Sequence, residues 1–451
     1  MGTVPFGGPL KTLAAVLVLC AVNAAALNDP FDGKSGGAVP TVSAKAPASA
    51  IDEADSRAWV VIEAPGKAQR QAAVDAGISI EEVRPDAAAG FATPEAIERA
   101  KTAGLKIRSA VTLRQRFGAL DFPAKDSSFH NYKELETAMR SLAARAPEVA
   151  SVFSLGKSTQ GKDLWAVRLN KGATGKQPSN KPGIVFLGTH HAREHLSTEV
   201  PLLLAKHLID NQGDAEIKRL LETRDIYFVP MVNPDGVEYD IEGGKYHMHR
   251  KNMAKNRDGS TGVDLNRNYA WGWGGAGASP NPSDDTYRGP AAFSEPESTA
   301  VRDFVNARPN LKVLLSYHTF SELILYPWGG SNDELPDKKA LAAFKAMAGE
   351  MSTMTGYTPQ QSSDLYIATG DTCDWAWGEK GIFAFTFELT PKSMWDGGFY
   401  PGASAVQRTY QANIRPALYL IDLADDPYRA AKGGGAFASS PASKSQGETA
   451  K

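Results

Sequence analysis

The sequence predicts an α/β protein in which helices cover both faces of a mixed β-sheet, with a smaller α/β unit in front. Two observations predict this architecture. From residue 128 onward, short apolar runs with the length of buried strands alternate with longer segments of helical periodicity. Between residues 56 and 120 a similar alternation occurs in shorter segments. With 451 residues, of which 42% are hydrophobic, the chain is long enough to bury a large core.

The first 55 residues precede both units. Lys11, the apolar run 13–19 and three alanines at 24–26 have the form of a secretory signal peptide, predicted as residues 1–26. The protein is therefore expected to be secreted or periplasmic, with a Gly-, Ala-, Ser- and Pro-rich linker over residues 27–55. That apolar run is too short to cross a bilayer and no other run is long enough, so we expect no membrane span.

The two cysteines, Cys20 and Cys373, are not expected to form a disulfide. Removal of the signal peptide takes away Cys20, so Cys373 has no partner within the mature chain. A lipoprotein anchor on Cys20 is a weak alternative, because the bulky Leu19 stands directly before it.

The N-terminal unit, residues 56–120, is predicted to be a small α/β sandwich. Its expected strands and helices follow in chain order: strand 59–62, helix 67–76, strand pieces 78–83 and 90–92, helix 94–103 and strand 105–107.

The larger unit is predicted over residues 128–427, with a layer of helices on each side of the sheet. Its expected strands are 152–155, 164–169, 184–187, 226–229, 313–315 and 384–387. Its clearest helices are 131–145, 197–211, 296–307 and 338–354. Residues 428–451 are rich in small residues and are predicted to be a disordered tail.

Three residues near strand ends are predicted to bind a metal ion. His191 and Glu194 lie three residues apart after the apolar run 184–187, and His318 follows the run 314–317. Ligands of open α/β sheets gather outside the carboxyl ends of the strands, so these side chains are expected to converge. Catalytic zinc keeps three protein ligands and one open position. The sequence therefore predicts a His/Glu/His zinc hydrolase.

A carboxylate ends a further apolar run. Glu388 follows the Phe-rich segment 383–387. An unpaired buried charge is costly, so Glu388 needs a partner or a function. Close to a metal ion, that function would be general base. Asp264, Asn266 and Arg267 form another polar group within one short segment.

These segments, taken in order, resemble the zinc metallocarboxypeptidase family, which includes pancreatic carboxypeptidases A and B and bacterial carboxypeptidase T. The resemblance covers most of residues 128–425. It implies a twisted eight-stranded sheet of the carboxypeptidase A type and one Zn²⁺ per catalytic domain. The implied activity is removal of single residues from peptide or protein C-termini by a monomeric enzyme. The formal net charge of -2 gives no electrostatic case for a nucleic acid partner.

The resemblance also implies a role for each polar residue. The zinc ligands would be His191, Glu194 and His318. Glu388 would take a proton from the attacking water and pass it to the leaving amine. Asp264 would accept the other ring N–H of His191 and so fix the tautomer of that histidine.

Substrate contacts follow in the same way. Asn266 and Arg267 would hold the free C-terminal carboxylate, Arg267 with the paired N–H geometry that suits it. Tyr366 would close over the substrate. Arg250 matches a substrate-contacting arginine of the family, the alternative being a solvated loop charge.

One position departs from the family pattern. Met253 stands where the resemblance leads us to expect a second arginine that stabilises the oxyanion. Loss of one such donor costs about 10²–10³ in rate. Arg250, Lys255 or Arg257 would have to supply the missing group.

The pocket for the substrate side chain is implied to involve Ala368, Asp371, Thr372, Cys373 and Thr386. At position 373, carboxypeptidase B-like enzymes carry an aspartate, so the cysteine argues against a strict Lys/Arg preference. Asp371 matches an acid of carboxypeptidase T-like enzymes that admits basic side chains, and a broad apolar-plus-basic preference follows. Alternatively, Asp371 only caps a turn after Gly370.

Family members are often made with an N-terminal unit that covers the cleft. The unit at 56–120 is therefore expected to be a pro-domain, followed by an activation linker at 121–127, with cleavage sites between Arg114 and Lys125. A permanent accessory domain is the alternative.

Two other functions remain open. One is an amidohydrolase for cell-wall peptides or N-acyl amino acids on the same scaffold; Asn266, Arg267 and Tyr366 favour peptide substrates over it. The other is a zinc-binding but catalytically silent binding protein, which would have no need of Glu388.

Overall fold

The computed structural model describes residues 57–112, 126 and 129–433. The expected signal peptide and linker, and nearly all of the activation linker, lie outside the described residues. Among the described residues, no helix combines the length and the apolar character needed to cross a membrane.

The N-terminal unit, here residues 57–112, has one sheet and two helices, as predicted. Its antiparallel sheet has the order β2-β3-β1-β4. The elements are β1 (Ala58–Glu63), α1 (Lys67–Asp75), β2 (Ser79–Arg84), β3 (Ala87–Ala92), α2 (Pro94–Thr102) and β4 (Ile107–Thr112). The last strand starts two residues later than expected, because Leu105 still bonds back to Ala100 at the end of α2.

The sheet of the N-terminal unit is buried on both faces. Val60 and Ile62 point to the face that packs against α1 and α2. Trp59 and Val61 point the other way, because successive strand residues alternate, and join Phe399 of the C-terminal domain in a second cluster. The two units therefore share an apolar interface.

The C-terminal domain, here residues 129–433, is built on a mixed eight-stranded sheet, which confirms the expected fold class. The strand order is β11-β10-β12-β9-β7-β8-β6-β5. The strands are β5 (Ala150–Lys157), β6 (Asp163–Leu169), β7 (Gly183–Gly188), β8 (Asp225–Val229), β9 (Leu311–Thr319), β10 (Leu323–Tyr326), β11 (Thr358–Gln361) and β12 (Phe383–Leu389).

Helices cover both faces of this sheet. The helices are α3 (Tyr132–Arg145), α4 (Leu196–Asp210), α5 (Ala215–Thr223), α6 (Pro234–Asp240), α7 (Pro296–Asn306), α8 (Lys338–Thr355), α9 (Thr372–Lys380) and α10 (Ser404–Leu423). Ile184 and Phe186 of β7 join the core that includes α3, α4, α8 and α10. Val185 and Leu187 join the core that includes α7 and α9.

The tail prediction is wrong for its first residues. Residues 427–432 form a 3₁₀ helix instead of continuing without structure. Tyr428 packs edge-on against Phe383, with ring centroids 5.1 Å apart, and Arg429 pairs with Asp422 at 2.6 Å. These contacts anchor the segment although most of its neighbours are small. Residues 434–451 lie outside the described part of the chain.

Three neighbouring strands position the candidate site. β12, β9 and β7 are adjacent and parallel, so their carboxyl ends meet at one edge of the sheet. The segments that follow or end these strands carry the predicted metal ligands and Glu388.

Candidate active site

The three predicted metal ligands come together at the carboxyl ends of β7 and β9. His191 and Glu194 lie in the turn after β7, and His318 lies near the end of β9. One nitrogen or oxygen atom from each residue falls within 4.8 Å of the others, and all three side chains are buried. Within the described part of the chain, this is the one such group of metal-binding side chains.

A glycine allows the turn after β7 to fold back tightly. A Cβ on Gly188 would lie 2.0 Å from the Ser197 carbonyl oxygen, so a side chain here would clash. The Ser197 hydroxyl accepts from Thr189 N–H at 2.9 Å and donates to the Glu194 carbonyl at 2.5 Å. This compact turn brings the side chains of His191 and Glu194 to the same side.

The distances within the cluster fit a divalent metal ion. His191 Nδ1 lies 2.7 Å from Glu194 Oε1, and His318 Nδ1 lies 3.0 Å from Glu194 Oε2. The two Nδ1 atoms are 3.1 Å apart. Two nitrogen ligands of a tetrahedral zinc ion are about 3.3 Å apart, given Zn–N distances of about 2.0–2.1 Å. Two imidazoles and one carboxylate therefore form a zinc site of suitable size.

The outer nitrogens of both histidines have partners. His191 Nε2 lies 3.1 Å from Asp264 Oδ1, and Arg250 Nε donates to Asp264 Oδ2 at 3.1 Å. Although burial opposes it, the Arg250 guanidinium and His191 hold the pKa of Asp264 well below its usual range. His318 Nε2 lies 3.0 Å from Ser316 Oγ. Such partners orient the rings toward a metal ion.

Glu388 lies beside the metal-binding cluster. Its strand β12 pairs with β9 so that Glu388 stands opposite His318, and both residues line one cavity of about 590 Å³. Burial raises the pKa of Glu388 well above its usual range, and the nearby carboxylates of Glu194 and Glu81 raise it further.

Asn266 and Arg267 also line this cavity. The Asn266 side-chain oxygen accepts from Thr372 N–H at 3.0 Å and from the Thr372 hydroxyl at 2.9 Å. This turns the Asn266 amide nitrogen away from Thr372. Arg267 Nε donates to the Gly277 carbonyl at 3.0 Å, which fixes its guanidinium.

The predicted side-chain pocket is formed in part. Ala368, Asp371 and Thr386 line the cavity. Cys373 does not line it but contacts Thr386, with Sγ and Oγ1 3.1 Å apart. Thr372 does not line the cavity, and its hydroxyl donates a hydrogen bond to the side-chain oxygen of Asn266.

The two carboxylate oxygens of Asp371 differ in their contacts. Its Oδ1 caps α9 by accepting from Cys373 N–H at 2.9 Å and Asp374 N–H at 3.0 Å. Its Oδ2 is buried and has no hydrogen-bond partner among the described residues. Gly370 has φ +77, and a Cβ there would lie 2.4 Å from the Arg267 carbonyl oxygen, so this loop needs glycine. The turn-cap alternative is thus correct for one oxygen, and the other stays available.

Position 253 supplies no group to the cavity. Met253 is buried and does not line it, and neither do Lys255 and Arg257. Arg250 does line it, with Nη1 4.0 Å from Glu194 Oε1. Of the three residues expected to replace the missing arginine, Arg250 is the one that lines the cavity.

Two contributors were missed by the sequence analysis. Residues 80–84 of β2, in the N-terminal unit, line the same cavity. Glu81 lies 2.8 Å from Arg193 and 3.7 Å from Arg250. Arg193, the partner of Glu81, stands between His191 and Glu194, and this position was the signal available in the sequence; its side chain is fully buried and does not line the cavity. No pattern around Glu81 indicated its contact with a distant domain.

Tyr366 is held by the N-terminal unit as well. Its hydroxyl donates to the Ile80 carbonyl at 3.3 Å. On the same loop, Ile367 N–H donates to Gln71 of α1 at 2.5 Å, and Arg70 donates to the Leu365 carbonyl at 2.5 Å.

The fold and the site define a metal-dependent hydrolase, and comparisons with known proteins give its family. Residues 135–415 match the zinc carboxypeptidase family. The chain is 36% identical over 317 residues to the zinc carboxypeptidase of Saccharothrix mutabilis subsp. capreolus, covering 68% of this chain and 72% of that protein. It is 33% identical over 269 residues to carboxypeptidase B of Astacus astacus, covering 58% of this chain and 86% of that protein.

The fold is shared with carboxypeptidase A from Helicoverpa armigera. The TM-score is 0.68 at 23% identity, covering 84% of this chain and 98% of that chain. The matched 84% of this chain is more than residues 129–451 alone could contribute, so the match also includes residues before 129.

The chain belongs to the zinc carboxypeptidase family. It is a zinc-dependent peptide hydrolase that acts at the C-terminal peptide bond. Membership in a family of peptide hydrolases favours neither the amidohydrolase nor the catalytically silent alternative.

Proposed function

We propose that His191, Glu194 and His318 hold the zinc ion and that Glu388, Arg250, Asn266, Arg267 and Tyr366 act around it on the C-terminus of a peptide. The observation that carries this proposal is the presence of all these side chains at one cavity. Bound in this cluster, zinc supplies a Lewis acid that lowers the pKa of a water molecule and polarises a carbonyl group.

Glu388 is the general base. It takes a proton from the attacking water and later passes it to the nitrogen of the leaving amino acid. Its position opposite His318 supports this role, because it lies beside the metal cluster. Arg250 donates to the oxygen of the scissile carbonyl as negative charge develops there.

Asn266 and Arg267 bind the terminal carboxylate of the substrate. Thr372 occupies the oxygen of Asn266, so the amide nitrogen is left to donate, beside the Arg267 guanidinium. Anchoring the carboxylate in this way places the last peptide bond at the metal cluster. Tyr366, once released from Ile80, covers the bound residue.

The side-chain pocket accepts apolar and basic residues. Cys373 lies behind Thr386, so no charge stands at that position to demand a basic partner. The unpaired Asp371 Oδ2 is an acceptor for the cation of a lysine or an arginine.

The N-terminal unit is a pro-domain that keeps the enzyme inactive until the segment between Arg114 and Lys125 is cut. Residues 80–84 occupy one wall of the cavity, which supports this role. We further propose that the protein is exported by residues 1–26 and works as a monomer, in the periplasm or outside the cell.

The test is mass spectrometry of a mixed peptide library incubated with the full chain after limited trypsin treatment. Parallel samples contain a zinc chelator or the Glu388→Gln variant. We expect stepwise loss of C-terminal residues that stops in both controls, while the variant retains its zinc. Undiminished trimming by Glu388→Gln would contradict the assignment of the base. Trimming that continues after zinc has been removed would contradict the assignment of the metal.

A further inference from the structure

A buried chain of hydrogen bonds connects the metal cluster with the carboxylate-binding residues, and His190 is its central member. His190 precedes the ligand His191 and is fully buried. A buried imidazole needs hydrogen-bond partners, and each of its ring nitrogens lies close to a hydroxyl group.

The chain has four links. His318 Nε2 lies 3.0 Å from Ser316 Oγ, and Ser316 Oγ lies 3.4 Å from His190 Nδ1. His190 Nε2 lies 3.2 Å from Thr372 Oγ1 and 3.0 Å from the Tyr269 hydroxyl. Thr372 Oγ1 lies 2.9 Å from the side-chain oxygen of Asn266.

The amide oxygen of Asn266 at one end sets the direction of the four bonds, and the Tyr269 hydroxyl, 3.0 Å from His190 Nε2, then accepts from the same N–H. An amide oxygen can only accept, so the Thr372 hydroxyl donates to Asn266. That hydroxyl has then used its proton, so it accepts from His190 Nε2–H. A neutral imidazole has one donor and one acceptor, so His190 Nδ1 accepts from the Ser316 hydroxyl. Ser316 Oγ in turn accepts from His318 Nε2–H.

This direction suits both ends of the chain. A proton on Nε2 of His318 leaves the lone pair on Nδ1, the atom that faces His191 and Glu194. At the other end, the fixed oxygen of Asn266 leaves its amide nitrogen to donate.

We propose that His190 is a positioning residue. Through hydrogen bonds to Ser316 and Thr372, it fixes the position of the metal ligand His318 relative to that of the carboxylate-binding Asn266. The inference rests on the proposed roles of His318 and Asn266. His190 touches neither metal nor substrate. It fixes the distance between the site that activates the water and the site that anchors the peptide.

If His190 only packed against its neighbours, its side chain would need a suitable shape but no hydrogen-bond partners. The His190 ring stacks on His318 with centroids 5.6 Å apart and planes 14° apart, so packing alone would accept another flat side chain of similar size. Packing does not require hydroxyl groups at both ring nitrogens. Two amide substitutions separate these roles, because each preserves only one of the two ring functions.

The amide of glutamine reaches the place of the ring Nε2, and the amide of asparagine reaches the place of Nδ1. His190→Gln keeps the donor toward Thr372 and loses the acceptor for Ser316. His190→Asn keeps that acceptor and loses the donor. Zinc retention by the full chain is measured against chelators of graded affinity. The KM of a C-terminal leucine peptide is measured after trypsin treatment.

We expect His190→Gln to weaken zinc binding about fivefold with KM near the wild-type value, the factor that corresponds to one hydrogen bond. His190→Asn is expected to raise KM about fivefold with zinc binding near the wild-type value. Equal changes of both quantities in both variants, or no change in either, would overturn the proposal.

A second measurement leaves His190 intact in case its variants do not fold. Ser316→Ala and Thr372→Val interrupt the chain on either side of it. We expect their effects on kcat/KM to be non-additive by at least about threefold in the double variant, because His190 couples them. Strictly multiplicative effects would overturn the proposal.

Failure of the underlying site assignment gives a different pattern. Asn266→Ala removes the proposed carboxylate contact directly. If this variant leaves KM unchanged, the assignment of Asn266 is wrong. Normal loss of binding in Asn266→Ala together with wild-type behaviour of both His190 variants would reject the positioning role alone.

Discussion

Arg250 is held in the cavity by the attraction between its positive charge and the carboxylate of Asp264. Arg250 Nε donates to Asp264, which also holds His191, so the orientation of the arginine is coupled to that of the proposed metal ligand. Although burial opposes it, Asp264, Glu81 and Glu194 raise the pKa of Arg250, which keeps the guanidinium charged. A single buried network thus orients the proposed metal ligand and the proposed oxyanion donor together.

Arg250→Lys tests the donor while keeping a positive charge beside Asp264. We expect kcat to fall by about 10²–10³, because a lysine cannot bind Asp264 and reach the carbonyl oxygen together. The measurement is steady-state kinetics on zinc-loaded protein after trypsin treatment. Met253→Leu is the matched control from the same segment and is expected to keep full activity. A large loss in the control with little loss in Arg250→Lys would reverse the assignment.

Asp371→Asn tests the side-chain pocket. The substitution keeps the oxygen that caps α9 and removes the negative charge from the pocket. We expect hydrolysis of C-terminal lysine and arginine to fall about tenfold relative to leucine, since a hydrogen bond to a charged group contributes about 1.5–3 kcal/mol. Paired peptides that differ only in the last residue give the ratio of kcat/KM. An unchanged ratio would mean that Asp371 serves only as a helix cap.

At the scale of single residues, the sequence predicted which side chains lie close together where their chemistry and their spacing along the chain both indicated it. His191 and Glu194 share one turn, so their three-residue spacing brings them together, and His318 and Glu388 stand on paired strands. Glu81 could not be found in this way. Its partners lie more than a hundred residues away, and its own strand offers no pattern that points to them.

Elements were predictable when their apolar pattern was long and uninterrupted. The strands β5 to β8 and β12 and four of the longer helices of the C-terminal domain were expected within two residues of their observed bounds, whereas β9 continues four residues past its expected end at 315 and includes His318. β10 and β11 have four residues each, too few for a periodic signal. α6 has seven residues, and α10 contains Pro416, which interrupts an otherwise helical sequence.

A buried ion pair at the start of β8 was not indicated by any sequence pattern either. Arg168 of β6 binds Asp225 of β8 through two hydrogen bonds of 2.7 and 2.9 Å, and both side chains are fully buried. Asn170 and Tyr227 donate to the same carboxylate at 2.9 and 2.8 Å. Although burial opposes it, these hydrogen bonds and the Arg168 charge lower the pKa of Asp225 to about 2.

This pair predicts how the stability of the fold depends on pH. The pKa of Asp225 is lower in the folded chain than in the unfolded chain, so its contribution is present above about pH 4 and is lost as pH falls toward 2. The contribution amounts to about 2 kcal/mol. Asp225→Asn should destabilise the fold by about 3–5 kcal/mol near neutral pH, because Arg168 is left unpaired.

Urea unfolding of the full chain between pH 2 and pH 7 measures this effect. The difference between wild type and Asp225→Asn should shrink as pH falls below about 4. Asp333→Asn at an exposed position is the control and should follow the wild type throughout. A difference that stays constant across this pH range would show that Asp225 is not linked to acid unfolding.

The whole molecule is organised by the contact between its two units. The apolar segment 59–62 predicted a strand, and β1 is a strand with one face against α1 and α2 and the other against the C-terminal domain. The sequence pattern indicates burial but not what covers each face. For this reason the N-terminal unit could be predicted as a domain, and its place over the cleft only from the family resemblance, whereas the residues 80–84 that line the cavity could not be predicted.

Charged side chains surround the apolar part of this interface. The Arg193 guanidinium lies 4.5 Å from the ring centroids of Phe91 and Phe399 and pairs with Glu81 and Asp285. At the periphery, Arg99 pairs with Asp284 at 2.7 Å. Glu81 is the member that reaches the cavity; its carboxylate pairs with Arg193 and lies 3.7 Å from Arg250, where we propose that the scissile carbonyl of a substrate binds.

The uncut chain should therefore be nearly inactive, and Glu81→Ala should release part of this inhibition. Loss of the carboxylate leaves Arg193 and Arg250 without that partner, so the N-terminal unit binds more weakly and substrate competes better for the cavity. We expect the activity of the uncut variant to rise about tenfold and its gain on trypsin treatment to shrink. Glu98→Ala is the control, since Glu98 forms its salt bridge with Lys101 inside the same unit, at the surface. If the uncut wild-type chain already equals the trypsin-treated chain in kcat/KM, the N-terminal unit is a permanent accessory domain and its contact with the cavity is open to substrate.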